Sequence, residues 1–88
     1  IFMDVNQLIL LLKGKIKKNI LIQSITIKDK TYLHKKHISH TEGKFHLELN
    51  IQSEELKKYN KIQATKKIYN ILDEEIKQYI HSIQILIN

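Results

Sequence analysis

Phe45, Leu47, Leu49 and Ile51 alternate without interruption against His46, Glu48, Asn50 and Gln52. Successive side chains of a strand point to opposite sides of a sheet, so this stretch calls for a sheet with one apolar and one polar face. The apolar face needs a cover, which other elements of the same chain must supply. Upstream, Ile25 and Ile27 alternate with Thr26 and Lys28 in an Ile- and Thr-rich run, predicting a strand from Ile20 to Asp29. Downstream, Ile83, Ile85 and Ile87 alternate with Ser82, Gln84 and Leu86, predicting a last strand.

Helical patterns supply the cover. Asp4 followed by Gln7 has the form of a capping box, and Val5, Leu8, Leu12 and Ile16 recur at helical spacing, with Ile9 and Leu11 broadening the stripe. A helix is predicted from Asp4 to Lys18, its end carrying Lys13, Lys15, Lys17 and Lys18, where the helix dipole favours cations. Ser53 is placed to cap a short turn through SEELKK, and Tyr59 and Asn60 break the pattern. Ala64, Ile68, Ile71, Leu72 and Ile76 then mark one face of a helix from Ile62 to Gln78. The expected fold is a single small α+β domain over residues 1–88, with a three-stranded mixed sheet and its helices on one face.

A chain of 88 residues has a thin core, since a domain of about this size buries only about 60% of its unfolded surface. No proline, repeat or Gly/Ser-rich stretch suggests an internal linker. The chain opens Ile1-Phe2 before Met3, as expected of a trimmed or excised product. Cysteine is absent, which excludes disulfides and thiolate metal sites built from this chain alone. All fifteen basic residues are lysine and the net charge is +6. Lysine contacts phosphate as a point charge and lacks the fork that reads guanine, so base-specific readout is not expected. The longest apolar run, Leu8 to Leu12, falls far short of the roughly 18 residues of a membrane span.

The polar connector between the first two strands carries His34, His37 and His40 beside Lys35 and Lys36, and His81 opens the last strand. Neutral imidazole binds borderline metals. If the first two strands pair antiparallel, and the second and third run parallel through a helical crossover, topology has a consequence for these residues. The end of the first strand and the starts of the other two then share one edge of the sheet, bringing His81 near the histidine-bearing connector. His46, on the polar phase of its strand, is expected to be solvated.

These residues resemble the BolA family. DKTYLHKKH from Asp29 to His37 is similar to its D-x-S-x-x-H-x-x-H segment, with Thr31 where serine is usual. GKFHLELNIQS from Gly43 to Ser53 resembles its G-H-F-x-V-x-x-V-S strand, and KKIYNILDEEIKQYIHSIQI from Lys66 to Ile85 its R-x-V-Y-x-x-L-x-E-E-I-x-x-I-H-A-L segment. The resemblance implies an α-β-β-α-α-β arrangement akin to the second type of KH domain. It further implies a non-enzymatic partner of monothiol glutaredoxins, monomeric alone, that shares a bridged 2Fe-2S cluster in the heterodimer. The matching ligand positions are His81 and His34, with His37 in reserve, and sulfur would come from the glutaredoxin thiolate and glutathione. Two departures stand out: Ala64 and Thr65 lie where the family often has an Arg-His pair, and Lys44 replaces the usual histidine before Phe45.

Nucleic-acid binding is the alternative, with Lys35, Lys36, Lys66 and Lys67 as phosphate contacts and a strong dependence on salt. Against it, Gly14 and Gly43 are the only glycines and form no G-x-x-G loop, the motif by which KH domains clamp the backbone. A third reading has the connector histidines alone capture zinc. Catalysis is not expected, because no nucleophile-base pairing is recognisable and Glu42 by itself is a weak general base.

Overall fold

The computed structural model describes residues 3–31 and 44–88. The sites expected at His34, His37, His40, Lys35 and Lys36 therefore lie outside the described residues. Helix α1 spans Val5–Asn19 behind the predicted capping box: the Gln7 amide donates to Asp4 Oδ1 at 2.8 Å and the Asp4 amide to Gln7 Oε1 at 3.3 Å. Strand β1 covers Ser24–Asp29, shorter than predicted, because Ile20 closes α1 through its amide and Leu21 donates its own to Glu55 Oε1.

Strands β2 (Phe45–Gln52) and β3 (Ile80–Ile87) complete a sheet of order β1-β2-β3, with the first pair antiparallel and the second parallel, as expected. Leu47, Leu49 and Ile51 are buried beneath Leu8, Leu12 and Ile16 of α1 and beneath Ala64, Ile68 and Leu72. The other face of the sheet carries Thr26, Lys28, Glu48, Asn50 and Gln84.

After β2, a 3-10 turn at Leu56–Lys58 depends on Ser53. Its hydroxyl, fully buried, donates to the Leu21 carbonyl at 2.8 Å and accepts from the Leu56 amide at 3.1 Å. Ser53→Ala should lower stability by about 1–3 kcal/mol, read from the urea midpoint, because it strands both partners away from water.

The single helix expected over residues 62–78 is instead two: α2, Lys61–Ile71, capped by Asn60, and α3, Asp73–Tyr79. The break falls at Leu72, whose side chain is fully buried, with φ −100 and ψ 14. Asp73, Glu74 and Glu75 then occupy the first turn of a new helix, where the dipole favours carboxylates. The turn also directs Glu75, 7% exposed, to Lys15 of α1, whose ammonium donates to its two oxygens at 2.9 and 3.1 Å. Glu75→Gln should cost about 1 kcal/mol in a denaturant melt at neutral pH. That is well below the roughly 3–5 of a fully buried pair, because Lys15 stays partly exposed and can turn to water.

Candidate functional site

Residues of the DKT run tie the end of β1 to the start of β2. Asp29 Oδ1 accepts from both the amide and the hydroxyl of Thr31. The Thr31 hydroxyl oxygen accepts in turn from the His46 amide at 3.1 Å, and the Lys30 amide donates to the His46 carbonyl at 2.7 Å. A hydroxyl at position 31 is thus a structural latch, a role serine or threonine can fill. The same end of the sheet holds the start of β3, since Asp29 pairs with Leu47 and Phe45 with Ile80. The three strand ends gather at one edge as topology predicts, while the connector histidines that His81 was expected to meet lie outside the described residues.

A register shift makes this edge unusual. Phe45 pairs with Ile80 but His46 with Ser82, leaving His81 as the extra residue of a bulge. A bulge bends the strand and re-aims a side chain. Plain alternation would put His81 in phase with Ile83 and Ile85; instead its ring stacks on that of His46, centroids 4.8 Å apart and planes inclined by 25°. Ser82, now opposite His46, sets its Oγ 2.7 Å from His46 Nδ1.

The expectation that His46 is solvated is overturned, for it is only 5% exposed. Its strand phase was read correctly; the bulge and the stacked ring of His81 enclose it on a face that is otherwise polar. Sequence reasoning missed His46 and Ser82 as parts of this edge, and the only available signal was a polar pair that comes into register after one extra residue. Beside them a cleft of about 400 Å³ opens between Lys30, His46, Glu48, Ser82 and Gln84.

His81 itself is exposed at the rim of this edge. Among the described residues no group of three or more His, Cys, Asp or Glu side chains could hold a metal ion. Lys66 and Lys67 are exposed on α2. The Lys67 ammonium lies over the Tyr59 ring, 4.7 Å from its centroid, and Tyr59 borders a cleft with Leu86, Ile87 and Asn88 at the far end of β3. The structure therefore does not bring Lys67 together with His81: the strand between them spans roughly 20 Å at about 3.3 Å per residue. Ala64, where the resemblance lacks its usual Arg-His pair, is buried in the core and offers nothing to a partner.

Fold and edge together define a class: a small α+β domain with helices on one sheet face and a bulged, exposed histidine where the parallel strand begins. The family model for BolA-like proteins matches residues 16–88, and the chain belongs to the BolA-like family. Among solved structures it is similar to the BolA domain of SufE1 from Arabidopsis thaliana, at a TM-score of 0.75 and 22% identity over 90% of this chain and 87% of that one. It is also similar to BolA1 from Arabidopsis thaliana, with a TM-score of 0.71 and 22% identity over 86% of this chain and 83% of the other. No curated protein sequence matches the chain.

Proposed function

We propose that this protein is a non-enzymatic partner of a monothiol glutaredoxin, with which it shares a bridged 2Fe-2S cluster for cluster assembly, transfer or iron regulation. The observation that carries this reading is His81: an exposed imidazole turned out by a bulge, at the sheet end where β1 leaves and β2 and β3 begin. Membership of the BolA-like family supports it.

The donor chemistry fits a shared centre rather than a private one. Without cysteine the chain has imidazole and carboxylate donors to offer, so the thiolate sulfur of a 2Fe-2S centre would come from a partner. His81 would supply one nitrogen and His34 the second, with His37 in reserve; the partner's thiolate and glutathione would supply sulfur. A cluster so bound supplies one-electron chemistry, and imidazole in place of thiolate raises its reduction potential, as in Rieske centres. The chain's own part is to present His81, to hold its edge rigid through the Asp29-Thr31-His46 latch, and to offer the partner the face around it.

The test is titration of the chain into a glutathione-loaded, cluster-bearing monothiol glutaredoxin, followed by visible circular dichroism. A new spectrum at one chain per glutaredoxin is expected. An unchanged spectrum would sink the proposal.

A further inference from the structure

His46 is held from several directions. Its ring is buried, its Nδ1 lies 2.7 Å from Ser82 Oγ, its amide donates to Thr31 Oγ1 and its carbonyl accepts from Lys30. His81 has the opposite situation: it is exposed and, as the bulged residue, has no Cα partner across the strand pair. An exposed side chain of this kind samples several rotamers, and each must be given up when the ring engages another group. Among the described residues, a flat contact with His46 restrains the His81 ring, with 4.8 Å between centroids at 25°.

From this contact and the bulge we infer that His46 is a positioning residue, a fixed plate that holds the His81 imidazole in one orientation with its outer edge open to an incoming group. The bulge does two things at once. It turns His81 onto the side of the sheet where His46 lies, and it brings Ser82 into register to lock the His46 ring. Holding His81 in place rests on contacts within the chain; its use toward a bridged cluster rests on the function proposed above. Preorganising a ligand before it is engaged is what the surroundings of metal ligands commonly do, and such partners change affinity without touching the metal.

Two substitutions separate a plate from a mere space-filler. His46→Phe keeps a flat ring in the buried site, whereas His46→Leu fills it without one. In the free protein, the His81 ring protons should be displaced upfield by the neighbouring ring, and this displacement should survive in His46→Phe and vanish in His46→Leu. With cluster-bearing monothiol glutaredoxin, His46→Leu should weaken the heterocomplex about tenfold, while His46→Phe stays within about threefold of the parent. Unfolding is checked by far-ultraviolet circular dichroism. If His81 resonances are the same in folded His46→Leu as in the parent, or if the Phe variant loses as much as the Leu variant, the inference is overturned. Should the parent chain leave the spectrum of the cluster-bearing glutaredoxin unchanged, the cluster reading fails while the ring-shift result still decides the role of His46.

Discussion

His81→Ala is expected to abolish the spectral change that the parent chain produces on a cluster-bearing monothiol glutaredoxin, with apparent affinity for the heterocomplex falling about 100-fold or more. Residues that merely orient metal ligands are worth about 10–100-fold, and loss of a ligand should cost at least the upper end of that range. Stability should barely follow. His81 is exposed and lies outside the apolar core, so the main loss is its stacking on His46, about 0.5–1.5 kcal/mol. A folded variant with a lost spectrum thus separates ligation from structure. His34→Ala should act the same way if it is the second ligand, and His37→Ala only if the reserve assignment applies. His81→Cys adds a sharper readout: a thiolate in place of imidazole should restore a bridged complex but lower its reduction potential by on the order of 100 mV or more. Retention of the parent spectrum by His81→Ala would remove His81 from the ligand set.

The largest effect on stability should come from Leu49→Ala. Leu49 is fully buried at the centre of the sheet, paired with Ile27 on β1 and with Ile85 on β3. Shortening such a residue costs about 2–5 kcal/mol, from lost transfer energy and the cavity left behind. A domain of this length is stable by only about 4–13 kcal/mol in all, so the variant should lose a large part of it and melt some 10–30 °C lower. A small change in midpoint would mean that the three-stranded sheet is not where this chain keeps its stability. Ser53→Ala and Glu75→Gln provide milder comparisons, one removing a buried hydroxyl and the other a charge between helices.

Much of the fold was legible because its elements carry their period in the residues themselves. The alternation from Phe45 to Gln52, the Asp4-Gln7 capping box and the Ser53 turn are local patterns, and each has its structural counterpart. Strand directions followed from connection lengths, and with them the gathering of β1, β2 and β3 ends at one edge. Local pattern failed where a tertiary demand competed with it. Helical spacing runs straight through Leu72, yet the chain breaks there, burying Leu72 and turning Glu75 toward Lys15 sixty residues away in sequence.

The sequence alone determined which residue types were on offer: imidazoles without thiolates, lysine without arginine, and a sheet with one face to be covered. It also placed His81 near the start of the last strand, at the sheet edge where β2 begins. Only the tertiary structure decided that His81 is the extra residue of a bulge and that His46, on a strand face written as polar, is buried beneath its ring. The physical reason is that the slip leaves only a slight trace, a three-residue step between Ile80 and Ile83 where alternation calls for two, and at the point where a helix gives way to a strand such a step also fits helical spacing. The slip arises where the pairing of Phe45 with Ile80 must be reconciled with that of Leu47 with Ile83, and a shift of one residue there changes which side of the sheet a histidine faces.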